Sequence, residues 1–234
     1  MKSLYRSDVI DIDSAYIITI KDNKASEDYS KRCQLSCSNV GMSFKVWDAF
    51  DGTGSTIVPP RSHQDTITQI VKVTDHYLTR GEVACALSHI SLWSHCALID
   101  KPIVILEHDA VMVKKFTQHM SYNTIVYLGG HEWQKGNWPI LPIPPHASEG
   151  PNYHFICRAH AYSIDPTMAK NLLAHVVKMG ICAPLDIMMR ADLFNITHQG
   201  LYAYDLNVNS TSDTTIKARP MEGRTTKRND QLSY

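Results

Sequence analysis

The sequence has no excess of charge of either sign. Lys and Arg together number 23, Asp and Glu also 23, and the pI is about 7.2. A dedicated nucleic-acid binder carries a basic surplus, so a polyanionic partner is not called for. Long apolar runs are missing too. The longest uninterrupted ones have four or five residues, against the roughly 20 that a membrane-spanning helix needs. Residues 1–13 mix Lys2, Arg6, Asp8, Asp11 and Asp13 with no apolar core, so they do not read as a signal peptide. The expectation is a cytoplasmic protein without a transmembrane segment. Neither G-x-x-x-x-G-K-S/T nor G-x-G-x-x-G occurs, which argues against P-loop enzymes and Rossmann dehydrogenases. Cysteine occurs six times, but Cys33-x-x-x-Cys37 has no second pair at zinc-finger spacing. The scattered thiols read as small buried hydrophobes.

What is present suits one domain of ordinary composition: 234 residues, 44% of them hydrophobic. Residues 15–20 (AYIITI) are β-branched and aromatic, as a buried first strand requires. A polar turn and a helix over 25–38 follow. Residues 44–50 (FKVWDAF) alternate like a second strand, closed by the turn Asp51-Gly52-Thr53-Gly54. Residues 66–73 fit a strand or a short helix equally. Thr79-Arg-Gly-Glu82 has the spacing of a capping box, and Val83, Leu87, Ile90 and Ala97 continue it at helical spacing. Residues 103–106 (IVIL) form a continuous apolar run, the signature of a central strand buried on both faces. Further strands are expected over 123–128, ending at Gly129-Gly130, and over 155–164. Between them, residues 131–154 read as a Pro-rich loop. Asp165-Pro166 opens a helix, as cap and first residue, that Gly180 ends, and residues 184–193 suggest one more short helix. From about residue 211 the expectation is a mobile tail. Strands alternate with helices, so the class is α/β, with a central, mostly parallel sheet flanked by helices.

The best candidate for chemistry is Glu107-His108-Asp109, directly after IVIL. Ligands of open α/β sheets bind beyond the carboxyl ends of the strands. On an extended backbone Glu107 and Asp109 would point the same way, and two adjacent carboxylates repel unless a cation lies between them. Hard oxygen donors suit Mg²⁺ or Mn²⁺ bridging a diphosphate. The plainer alternative is a cap at Asp109 and a lysine partner for Glu107. His89 and His95 read as satisfied helix residues. Gly129 and Gly130 allow a ligand close to the backbone. His131-Glu132 follows them, but no second histidine four residues later makes a zinc-protease motif. Asp186 reads either as a charge at a helix start or as a base facing the cleft. Arg219, Arg224, Lys227 and Arg228 make the tail basic: a solvated tail, or one that folds over phosphates.

These residues together resemble glycosyltransferase family 25, the group of bacterial lipooligosaccharide galactosyltransferases and procollagen galactosyltransferase relatives. The resemblance runs over roughly residues 14 to 216. It is carried by Tyr16-Ile-Ile-Thr-Ile20, by residues 44–52 (FKVWDAFDG), by residues 78–89 (LTRGEVACALSH) with Trp93, and by Leu106-Glu-His-Asp-Ala110. Residues 161–164 (AYSI), Pro184-Leu-Asp186 and Ser212-Asp213 add to it. It implies a GT-A-like fold, a UDP-sugar donor of galactose or glucose, and inverting transfer to a hydroxyl, in a glycan rather than in DNA or protein. It implies Mn²⁺ or Mg²⁺ held by Glu107 and Asp109, where His108 replaces the middle Asp of the family's acidic triplet. Gly129, Gly130 and Ser212 would join these two at the donor. Asp186 is the implied base and Glu132 the second choice, while Glu82 belongs mainly to the capping box. The rival readings are transfer to a modified nucleobase, an inactive nucleotide-sugar-binding protein, and a metal-dependent hydrolase.

Overall fold

The computed structural model of the chain describes residues 9–10, 12–62, 66–119, 124–130, 141–142, 156 and 158–205. In chain order the elements are β1 (Val9–Ile10), β2 (Ala15–Thr19), α1 (Lys24–Asn39), β3 (Phe44–Asp48), α2 (Thr66–Ile70), α3 (Arg80–Ile99), β4 (Ile103–Glu107) and β5 (Ala110–Met112). They continue with β6 (Gln118–His119), β7 (Ile125–Gly130), β8 (Leu141–Pro142), β9 (Ala161–Ile164), α4 (Pro166–Met179), α5 (Leu185–Met188) and β10 (Ile196–Asp205). The Pro-rich segment expected over 131–154 lies outside the described residues except for β8, and so does the tail expected from 211.

The main sheet has the order β3-β2-β4-β9-β7-β10-β5, with β8 also on β10, while β1 pairs separately with β6. Strands β3, β2, β4, β7 and β10 run one way. β9 lies antiparallel between β4 and β7, and β5 and β8 run antiparallel to β10. The class is the expected α/β, and the dominant strand direction is parallel. β9 breaks it, pairing antiparallel with both of its neighbours.

Period-two alternation sorts the core into two layers. Tyr16, Ile18, Ile103, Ile105, Tyr162 and Ile164 face α3 and α4. Ala15, Ile17, Val104, Leu106 and Ala161 face the other way, toward Cys33 and Cys37 of α1. Helix α1 starts at Asn23, whose side chain accepts from the Ser26 N–H. Helix α3 starts with the expected capping box: Thr79 accepts from the Glu82 N–H, and Glu82 reaches back to the Thr79 N–H. By length and composition α3 could cross a membrane. Here it is the core helix, with Leu87, Ile90, Leu92, Trp93 and Cys96 fully buried and α4 packed along it. Ser88 Oγ accepts from the Phe50 N–H at 2.9 Å and so ties α3 to the end of β3.

Four expectations change. The strand expected over 155–164 covers only Ala161–Ile164. The short helix expected over 184–193 covers only Leu185–Met188, and the chain turns after it. Strand β10 was not foreseen, because its alternation is broken by Gly200 at φ 94° and by a register shift between His198 and Ala203. Strand β4 ends at Glu107, and His108 and Asp109 form the turn into β5. The alternation argument that aimed Glu107 and Asp109 alike therefore does not apply beyond Glu107.

Gly52 sits where the β3 end meets α3. A Cβ there would lie 2.5 Å from the Arg80 carbonyl oxygen and 2.9 Å from Ala84 Cβ. Gly52→Ala should destabilise the protein by about 1–3 kcal/mol, the usual cost of overpacking, seen as a lower urea midpoint at unchanged m-value.

Candidate active site

Strand β2 has β3 on one side and β4 on the other, with α1 and α3 on opposite faces of the sheet. A crevice is expected outside the carboxyl ends of strands at such a switch point. A cleft lies there. One wall is apolar, made by Ile18, Ile20, Ala49 and Phe50. Cys85 and His89 of α3 also line it, with Glu107, His108 and Asp109 at the end of β4.

Glu107 continues the face of Ile103 and Ile105, so it meets α3. Cys85, His89 and Trp93 are spaced four apart on α3 and present one stripe to it. His89 Nε2 lies 3.3 Å from Glu107 Oε1, and the Cys85 thiol donates to the same oxygen at 3.5 Å. His89 Nδ1 lies 2.8 Å from the Tyr162 hydroxyl, which also accepts from Trp93 Nε1–H at 2.8 Å. Indole can only donate. The Tyr162 hydroxyl, accepting from it, is free to donate its own proton to His89 Nδ1. The imidazole proton then sits on Nε2 and points at Glu107, a tautomer assigned from the network. Burial alone would push the Glu107 carboxyl up. The His89 hydrogen bond, joined by the fields of His89, His160 and His108 when those rings are protonated, outweighs burial and holds it below the usual carboxylate range. Burial raises the Tyr162 hydroxyl and the Cys85 thiol well above their usual ranges, so both keep their protons.

His108 is buried. Its Nδ1 lies 3.1 Å from Ser26 Oγ, and its ring stacks on Tyr29 at 5.7 Å. Burial lowers its pKa, against the raising field of Glu107, so it adds no fixed positive charge between the acids. Glu107 and Asp109 thus offer hard oxygen donors at one cleft floor, a donor set that fits Mn²⁺ or Mg²⁺.

Asp186 stands near this floor. Burial, with the field of Glu107, raises its carboxyl, while N–H groups of Arg158 and Ile187 lower it in part. Its Oδ2 accepts from the Arg158 N–H at 3.4 Å and its Oδ1 from the Ile187 N–H at 3.0 Å. Asp186 thus bonds at the start of a four-residue helix and lies within the field of Glu107, behind the residues that line the cleft. Arg158, at φ 68°, also donates from its guanidinium to buried Asp205 at 2.5 Å. Gly129 is small for a local reason: a Cβ there would lie 2.5 Å from the His160 ring. Gly130 ends β7 beside it. Glu132 and Ser212 lie outside the described residues. The sequence reading had no place for Cys85, Tyr162, Arg158 or Asp205 and set His89 aside as a satisfied core residue. The signal that would have found the first two is the spacing of Cys85, His89 and Trp93 behind an acidic strand end.

A family model described as glycosyltransferase family 25 (LPS biosynthesis protein) matches residues 12–139. A search of the curated proteins finds no match. Among solved structures, the chain is similar to a crystal structure of an active-site mutant of LgtC. The identity is 11%, the TM-score 0.44, and the alignment covers 79% of this chain and 72% of that one.

Tyr162→Phe would leave the buried Trp93 N–H without its acceptor and His89 Nδ1 without its donor. A loss of about 1–3 kcal/mol in urea unfolding is expected, the cost of a stranded buried polar group.

Proposed function

Because the chain belongs to glycosyltransferase family 25, we propose that it moves a hexose from a UDP-sugar to a hydroxyl of a glycan, with inversion at the sugar carbon. The observation that carries this reading is the pair Glu107 and Asp109 on the floor of a cleft at the sheet's switch point. The apolar wall of Ile18, Ile20 and Phe50 suits the flat face of a uracil ring, and the acidic floor suits a cation-bridged diphosphate. A Mn²⁺ or Mg²⁺ held by Glu107 and Asp109 would supply charge neutralisation to the departing UDP.

The chain's own residues do the rest. The donors on Glu107 keep it ionised and fix one of its oxygens against α3. Asp186 takes the proton of the acceptor hydroxyl as that oxygen bonds to the sugar carbon and the bond to UDP breaks. A single base and no covalent intermediate give inversion. Its raised pKa brings Asp186 closer to neutral pH, where a general base works best.

Release of UDP from a panel of UDP-sugars, with a glycan acceptor mixture, should require Mn²⁺ or Mg²⁺ and single out one donor. Asp109→Asn should reduce it on the order of 100-fold, equivalent to a few kcal/mol of lost charge stabilisation. No release from any donor, together with no UDP binding by calorimetry, contradicts the reading.

Asp186→Asn should lower kcat by about 10²- to 10⁴-fold, the usual contribution of a general base, with KM for the donor little changed. A base must be unprotonated to work. In the wild type kcat should therefore fall as pH drops through the raised pKa of Asp186, and the residual activity of Asp186→Asn should lose that acid limb.

A further inference from the structure

Glu107 belongs to two donor sets at once. With Asp109 it offers hard oxygens at the cleft floor. With Cys85 and His89 it forms a second set of one thiol, one imidazole and one carboxylate, whose ligand atoms all lie within 4.8 Å of one another. We propose that Cys85, His89 and Glu107 form a site for Zn²⁺ in the wall of the cleft, and that zinc bound there withdraws Glu107 from the donor-binding floor and blocks transfer.

The geometry supports zinc. Ligand bonds of about 2.3 Å to sulfur, 2.0–2.1 Å to nitrogen and 2.0–2.2 Å to oxygen give a tetrahedral site an O···N edge of about 3.4 Å and an O···S edge of about 3.6 Å. The corresponding distances here are 3.3 and 3.5 Å. Two of the three edges therefore already have about the required length, and sulfur to nitrogen lies within 4.8 Å. The two helix ligands sit four residues apart on one face, the spacing that aims two side chains at one ion. Thiolate and imidazole select zinc over Mg²⁺ and Mn²⁺, which prefer all-oxygen sets. The Glu107 side chain is 28% exposed to the cleft, so the fourth position is open to water, as in zinc sites that retain an exchangeable ligand.

Binding replaces the protons that now hold the trio together. Cys85 loses its thiol proton to solvent. A metal-bound imidazole is neutral, so the His89 proton shifts from Nε2 to Nδ1, where the Tyr162 hydroxyl oxygen accepts it. One proton leaves for each zinc bound.

The block of transfer rests on the proposed function; zinc binding itself does not. The decisive experiment therefore uses no sugar donor. Purified full-length protein is titrated with Co²⁺, a spectroscopic stand-in for Zn²⁺, and Zn²⁺ is then titrated against a chromophoric chelator. One equivalent of Co²⁺ should give a thiolate-to-metal charge-transfer band that Zn²⁺ removes. Cys85→Ser should abolish the band and weaken Zn²⁺ binding by about 100-fold or more, the upper range of changes to outer-shell groups alone. Glu107→Gln keeps the thiol and imidazole, so it should retain a band at higher Co²⁺ concentration, with Zn²⁺ bound at least about 10-fold more weakly. It decides the matter if Cys85→Ser does not fold. No band in the wild type overturns the proposal. So does a band that survives in Cys85→Ser, or Zn²⁺ affinity unchanged in Glu107→Gln. Donor-dependent UDP release absent under all conditions would count against the transferase reading and leave the zinc result to stand on the titration.

Discussion

Glu107 is the first charge on a strand whose preceding four residues are fully buried, and much of the cleft is arranged around keeping that charge. A carboxylate at the edge of an apolar core is costly unless it is hydrogen-bonded. The donors come from α3, which can supply them only because its capping box fixes where the helix begins and Trp93 anchors it in the core. The directed chain from Trp93 through Tyr162 and His89 to Glu107 links helix, antiparallel strand β9 and parallel strand β4. This gives β9 its significance: inserted beside β4, it places Tyr162 behind the site.

The same constraint bears on His108, which stands where the resemblance to the family implies a third acid. A histidine between two acids would be expected to compete with a bound cation if it were charged. Its burial against Ser26 and Tyr29 favours the neutral ring. The substitution thus removes one carboxylate from the floor without adding an opposing charge. On the proposed function, the two acids that remain would hold a hard metal with fewer oxygens than three carboxylates offer.

Most of the framework was legible in the sequence, because it rests on local rules. The buried strands at 15–20 and 103–106, the capping box at Thr79, the Asp165-Pro166 helix start and the acidic strand end all come from patterns within a few residues. What was not legible depends on distant pairing. Strand β10 is hidden by Gly200 and a register shift. The turn at His108–Asp109 is set by β5 pairing with β10, some ninety residues on. Tyr162 and Asp205 reach the site only through the sheet order. His89 was read as a satisfied core histidine, which is true of its Nδ1; its Nε2 turns the same residue into part of the site. Gly129 was read as allowing a ligand close to the backbone; on the side where a Cβ would lie it meets the His160 ring.

The measurement that bears most directly on this arrangement is the tautomer of His89, read from the long-range ¹⁵N–¹H couplings of its ring at pH 8, where an ordinary histidine is neutral. The expected result is a ring with its proton on Nε2 and a bare Nδ1 accepting from Tyr162. A proton on Nδ1, or on both nitrogens, would contradict it, because the chain that holds the Glu107 charge would then not run from the core to the cleft.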